Sequence, residues 1–344
     1  MTDEQWQKLK AVINGVCIEP LPVGFIIDSP WLPGWAGVSV IDYFSSDDVW
    51  FETNLKAVKT FPDVMFLPGF WAEYGMCTEP SAFGAKCSWQ ENELPFAHKV
   101  VTDIRCAETI GKPDPAKDGL LPFVLNRLKR YRSRIENEGH AIQFAVSRGP
   151  LNIASFLLGT TELLTAIRTN LDESQALLAT VSEFVVDWLR LQKETFPGID
   201  GIFILDDIVG FLGEDDFRRF AKLYLERIFK SLDVTVRFFH NDAAGAVCAP
   251  HLAEIGVNLF NFSSEHTPAE MKRMMGRGVT LIGGIPSRDV LADGTAEQVK
   301  TAVKGVFESM GERRRIIASC GGGMPPGVST ENIRAFLEAV RSVQ

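Results

Sequence analysis

The chain predicts an α/β fold, a (β/α)8 TIM barrel running through one domain of residues 1–344, with a long insertion after the second strand. Three observations predict it. Short apolar runs rich in β-branched and aromatic residues recur eight times along the 344 residues. Amphipathic stretches separate them, as a β/α alternation requires. And the first run ends on Asp28-Ser29-Pro30-Trp31 rather than on the Gly-rich turn that opens a doubly wound dinucleotide-binding sheet, the main rival.

Each element has its own justification. The candidate strands cover residues 23–28, 64–68, 141–147, 201–206, 235–240, 259–263, 279–283 and 315–320. They are apolar throughout rather than alternating, as expected of parallel strands covered on both faces. Residues 1–21 read as a helix that closes the bottom of the barrel. Over residues 215–230, Phe217, Phe220, Ala221, Tyr224, Leu225 and Ile228 share one helical face. Residues 295–310 and 330–343 follow the same pattern, the second opened by Ser329. One connection breaks the rhythm, because roughly 50 residues separate strand 2 from its helix, and loops of that length in compact domains are usually functional. The insertion, residues 70–116, should lie across the carboxyl-terminal face of the barrel.

Composition sets outer limits. Apolar residues make up 46% and charged residues 23%, with a net charge of −9, so a basic nucleic-acid surface is not expected. The amino terminus lacks a signal-peptide pattern, and no apolar run reaches membrane-spanning length. Six cysteines without CxxC spacing fit a reducing cytoplasm rather than a disulfide framework.

The chemistry should lie at the strand ends. His240-Asn241-Asp242 closes the fifth run and Cys320 the eighth. Imidazole, carboxylate and thiolate can together hold Zn²⁺ with an open position; the plainer reading is a capping His and a buried Cys that never meet. Asp206 and Asp207 end the fourth run, either as general base and partner to His240 or as a turn cap and a solvated carboxylate. Asp28 ends the first. Trp31, Trp35, Trp71 and Tyr74 either line a substrate pocket or pack their loops. Gly283-Gly284 and Gly321-Gly322-Gly323 follow strands 7 and 8, where many barrels bind phosphate, though tight turns also explain them. His98, His140, His251 and His266 are expected at the surface, and Cys248 in the core.

Several segments resemble the uroporphyrinogen decarboxylase and corrinoid methyltransferase superfamily over nearly the whole chain. They are Phe239-His240-Asn241-Asp242, Leu281-Ile282-Gly283-Gly284-Ile285-Pro286 with Leu291, Gly294 and Thr295, Ser319-Cys320-Gly321-Gly322-Gly323 with Glu331-Asn332, and Glu79-Pro80-Ser81-Ala82-Phe83-Gly84-Ala85. The resemblance implies a (β/α)8 barrel and one of two chemistries. Decarboxylases of the superfamily hold a tetrapyrrole bearing eight carboxylates with arginines after strand 1 and an Asp in an F-S-D segment at strand 2. Here the first arginine is Arg105, and Phe66-Leu67-Pro68 stands in place of F-S-D. The methyltransferase branch is the closer match. It implies Zn²⁺ held by His240, Asp242 and Cys320, with Asp242 standing where the branch has cysteine. It also implies a small-molecule methyl donor or acceptor, and a corrinoid supplied by a partner protein, since no D-x-H-x-x-G segment is present. Asp206, Asp207 and Glu79 are the expected catalytic carboxylates; Asp28, Trp31, Trp35, Trp71, Tyr74 and Gly284 are the expected substrate contacts. A decarboxylase, or a barrel that binds its ligand without turning it over, are the alternatives.

Overall fold

The computed structural model describes residues 1–27 and 29–343. Eight parallel strands are present: β1 (Val23–Ile26), β2 (Val64–Leu67), β3 (Phe144–Arg148), β4 (Gly201–Leu205), β5 (Val236–Asn241), β6 (Leu259–Phe262), β7 (Thr280–Ile285) and β8 (Ile316–Cys320). They pair in the order β2-β1-β8-β7-β6-β5-β4-β3, the circular order of a (β/α)8 barrel.

The expected closure is incomplete. Among the described residues no ladder joins β2 to β3. The amino terminus bridges this seam instead: Gln5 Nε2 donates to the carbonyls of Val64 at 3.0 Å and Pro62 at 3.2 Å. On the other side Thr2 forms an antiparallel bridge with His140, and the Ala141 N–H donates to Met1 O at 2.8 Å. Backbone groups that a closed ladder would have paired find these partners.

Strand alternation divides the core into two shells. Inside the barrel are Ile26, Met65, Leu67, Phe144, Phe203, Phe238, Leu259, Ile282 and Ile317, among others. Phe203 and Phe238 stack at 4.3 Å. The helix expected over residues 1–21 forms over Asp3–Ile13 and closes the bottom. Its capping box pairs Thr2 with Gln5, and Trp6, Leu9, Val12 and Ile13 face the barrel interior. Trp6 meets Phe144 edge-on at 5.3 Å. The outer shell lies between strands and helices.

The amphipathic segment after β4 forms as Glu214–Phe217, a π turn at Arg218–Lys222, and Leu223–Phe229, so the single regular helix expected over residues 215–230 is locally widened. The insertion carries a helical turn (Thr78–Ala82), a short hairpin (Cys87–Ser88 with Phe96–Ala97) and a 3₁₀ segment (Ile104–Thr109). It reaches the carboxyl-terminal end of β3 through Glu73 and Glu79. Among the described residues no single helix is long and apolar enough to cross a membrane.

Candidate active site

Strand β5 delivers His240 to the mouth, on the inward parity shared with Val236 and Phe238. Its register pairs His240 with Asn261 on β6, and Asn261 in turn with Ile282 on β7. That register defines the ring. Asn261 Nδ2 donates to the Ile282 carbonyl at 2.8 Å, so its Oδ1 is the atom facing His240 Nδ1 at 2.7 Å. Nδ1 therefore carries the hydrogen in neutral imidazole, leaving the Nε2 lone pair toward the mouth. Asp207 Oδ1 lies 3.6 Å from that Nε2 and accepts the Asp242 N–H at 2.7 Å. Asn261 has no signal in the sequence that marks it; only strand register brings it to His240.

Asp242 reaches across to the end of β8. A Cβ on Gly322 would fall 2.2 Å from its Oδ1, so glycine there admits the carboxylate. Packing strips enough water from that carboxylate to raise it above the usual range; Asp207 adds to the effect, while His240 and Arg288 oppose it.

A second polar cluster, centred on Arg148, was not foreseen. Arg148 ends β3 and is buried between two carboxylates of the insertion. Its Nη2 donates to Glu73 Oε2 at 3.0 Å, its Nη1 to Glu79 Oε2 at 3.2 Å, and its backbone N–H to Glu79 Oε1 at 2.9 Å. Ser29 Oγ donates to Glu73 Oε1 at 3.1 Å. Burial pushes Glu73 up, and Arg148 pulls it back toward ionisation. A cavity of about 30 Å³ at the β2/β3 seam is lined by Glu73, Glu79, Arg148, Trp71 and Trp188. Glu79 thus stands at the mouth, as one of the two carboxylates that pair with Arg148.

Several expected roles change. Asp206 is fully buried, and its two oxygens accept the N–H groups of Leu151 at 2.9 Å and Asn152 at 3.0 Å. It caps the helix Pro150–Leu158 and faces away from the mouth. Trp31 donates to the Val328 carbonyl at 2.9 Å and stacks on Trp35 at 4.9 Å; Trp35 donates to Thr330 Oγ1 at 3.0 Å. Both belong to the outer shell, under the first β/α connection, because indole N–H groups buried there need fixed acceptors. At Gly284 a Cβ would lie 2.7 Å from Phe307 Cζ and from the Ser319 carbonyl, so packing by itself requires glycine there. Trp71 does enter the barrel interior, 5.8 Å from Phe203. Tyr74 packs on Phe44 at 6.1 Å, under the Arg127 guanidinium at 4.9 Å. Asp28 lies outside the described residues. Of the histidines expected at the surface, His251 is buried and bonded to Glu214 at 2.9 Å.

The three expected metal ligands do not converge. Among the described residues, no group of three His, Cys, Asp or Glu side chains is placed to hold a metal ion. Cys320 has the parity of Ile316 and Ala318, packs in the outer shell, and its Sγ lies 3.9 Å from the Gly322 carbonyl. Burial, then the charge of Asp242, pushes its thiol up to about 12. As placed, this donor set does not fit Zn²⁺.

Barrel and mouth together define a (β/α)8 protein with a polar cluster at the carboxyl-terminal ends of its strands. The uroporphyrinogen decarboxylase (URO-D) family profile matches residues 33–343, and the chain belongs to that family. Among curated proteins, it is similar to uroporphyrinogen decarboxylase of Thioalkalivibrio sulfidiphilus, 24% identical over 316 residues that cover 88% of this chain and 86% of the relative. The same enzyme of Thermus thermophilus is 25% identical over 296 residues, covering 84% and 82%. Among solved structures, a methyltransferase from Methanosarcina mazei superposes with a TM-score of 0.80 at 19% identity, covering 97% of each chain.

Proposed function

We propose that this URO-D family member is a methyltransferase that moves a methyl group between a corrinoid carried by a separate protein and a small-molecule substrate. The observation that carries the reading is the charge at the mouth. Arg148 is engaged by Glu73 and Glu79, while Asp207 and Asp242 add two further carboxylates beside His240. A porphyrinogen with eight carboxylates needs free guanidinium groups, since bidentate Arg–carboxylate pairing has no close substitute. Here the buried guanidinium is already paired. The methyltransferase neighbour of the same fold supports the reading; the names of the curated relatives favour decarboxylation, which makes that activity the rival outcome.

The corrinoid would supply the methyl carbon as an electrophile. The chain's own residues would do the rest. In the direction that methylates the substrate, the substrate's O–H or S–H bond breaks as its bond to the methyl carbon forms. The corrinoid would leave with the bonding pair of its methyl group, and His240 Nε2 would take the substrate's proton. Asn261 holds the ring in the tautomer that can accept it, and Asp207 is placed to stabilise the imidazolium that results. Trp71 and the insertion would keep water from the methyl carbon. No step passes through zinc. A zinc ion at His240, Asp242 and Cys320 would have to turn Cys320 out of the outer shell and remove its proton, and metal titration beside Cys320→Ser and His240→Ala tests that separately.

The function is tested by incubating the protein with methylcobalamin and a panel of thiols and phenols, following loss of the methyl–cobalt absorbance. Turnover that falls about 10²-fold or more in His240→Ala is expected. Coproporphyrinogen formed from uroporphyrinogen at an enzymatic rate, with no demethylation of methylcobalamin, would overturn the reading.

A further inference from the structure

The opposite end of the barrel carries a feature that the mouth does not use. Between the helix Pro268–Met275, its loop into β7, and the loop before β8 lies a cleft of about 800 Å³. That volume is in the range of small-molecule sites. Lys272, Arg273, Arg277, Arg314 and Arg315 line it, against a single carboxylate, Glu312. This concentration of cations occurs in a chain whose net charge is −9.

Two of the five cations build the walls. Lys272 Nζ donates to the carbonyls of Arg314 at 2.5 Å and Glu312 at 3.2 Å, tying the helix to the loop before β8. Arg315 donates to the carbonyls of Ile13 and of Gly278, the latter at 3.1 Å, so the plug helix and the β7 loop are tied to the same strand end. Arg315 adopts φ +58, the one positive-φ non-glycine residue among those described, and this left-handed turn aims its side chain across the cleft. Arg273, Arg277 and Arg314 are different. No carboxylate lies within ion-pair distance of them among the described residues, although exposed arginines elsewhere, such as Arg130, Arg134, Arg218 and Arg227, have such partners. The helix C-terminus accounts for a preference for cations at Lys272 and Arg273. It does not account for Arg277 and Arg314, which stand on loops.

We propose that this cleft binds a small anion bearing two or more phosphoryl groups. Guanidinium forks pair with phosphate oxygens in bidentate fashion, and three of them around one concavity suit a charge spread over several oxygens better than a monocarboxylate. The loop glycines Gly276 and Gly278 leave open space where a Cβ would stand, so a ligand can approach the backbone there. Because the cleft lies at the amino-terminal end of the strands, the site is separate from the mouth and independent of the reaction proposed there.

The test is calorimetric titration of the full-length protein with inorganic triphosphate, repeated at rising ionic strength. One saturable site per chain is expected, weakening as salt screens the cations. Arg273→Gln/Arg277→Gln should weaken it at least tenfold, and Arg314→Gln alone should weaken it measurably. The control Arg130→Gln/Arg132→Gln removes the same charge from the helix Leu121–Asn137 and should bind triphosphate as the unaltered protein does. The side chains of the substituted cleft arginines make no hydrogen bond among the described residues, and the Arg314 carbonyl that holds Lys272 is kept, so unchanged melting temperatures are expected. No saturable binding at millimolar triphosphate, or an equal loss in the control, would overturn the proposal.

Discussion

The two ends of the barrel are built on opposite principles. At the amino-terminal end an amphipathic helix plugs the interior with Trp6, Leu9, Val12 and Ile13, and the charged groups stay at the surface, five cations of them in an open cleft beside the plug. At the carboxyl-terminal end charge itself is buried: Arg148, Glu73 and Glu79 are each at least 95% covered, and His240 is nearly so. Burying apolar area stabilises without directional demands. Burying ions stabilises little unless every partner is in place, and it is retained where position matters more than energy. The difference teaches that one end closes the fold and the other holds groups in fixed orientation.

The largest expected effect breaks the mouth. Arg148→Ala would leave two carboxylates facing each other without a cation, and should cost about 3–5 kcal/mol in urea unfolding. Glu73→Gln/Glu79→Gln in the same background should recover part of that loss. A loss below about 1 kcal/mol in the single variant would mean the cluster is solvated and the contrast between the two ends does not hold. At the plug, Trp6→Ala removes an indole packed on Phe144 and should cost about 3 kcal/mol by the same measurement.

Asp206→Ala is expected to cost about 1–2 kcal/mol through its two lost caps on the helix Pro150–Leu158. Rates lowered at Asp207→Asn but not by the Asp206 change, once stability is accounted for, would separate the two neighbours. A catalytic defect at Asp206 alone would reverse that assignment.

A smaller effect concerns pH at the seam. Burial lowers His140 from 6.5 to about 4, opposed by Glu138. The unfolded chain binds this proton more readily than the folded one. The stability contribution is therefore present above pH 6.5 and is lost as pH falls from 6.5 toward 4. His140→Gln should flatten that part of the stability–pH curve. The smallest effect is chemical: Cys17 and Cys106 are exposed and should react with a thiol reagent in the native protein, while Cys320 and Cys248, buried and both pushed up to about 12, should react only on unfolding.

Much of the fold was legible because barrel strands are local, apolar and β-branched. All eight runs became strands, with ends shifted by up to three residues, and the helix expected over residues 1–21 forms over Asp3–Ile13. The mouth was legible only in part. His240 and Asp207 could be placed at strand ends, and the structure brings them within 3.6 Å. Arg148 gave no signal, since one arginine at the end of a strand looks like any solvated cation until two glutamates from the insertion enclose it. Trp31 and Trp35 misled for the reverse reason. Aromatic residues after a first strand can face a ligand or a helix, and their indole N–H groups found acceptors at Val328 and Thr330, almost 300 residues away in sequence.

By itself, the sequence determined the alternation of eight strands with helices, the plug, the length of the insertion and the family, because each is written in local periodicity or contiguous motifs. Tertiary structure alone decided which strand ends meet. Register set Asn261 beside His240 and thereby the tautomer of the ring; parity turned Cys320 toward the helices, away from His240; and the unpaired seam between β2 and β3 required the amino terminus as its bridge. These outcomes depend on one-residue alternation and on contacts between distant segments, and a period-2 strand shows which residues share a face without showing which face lies inward.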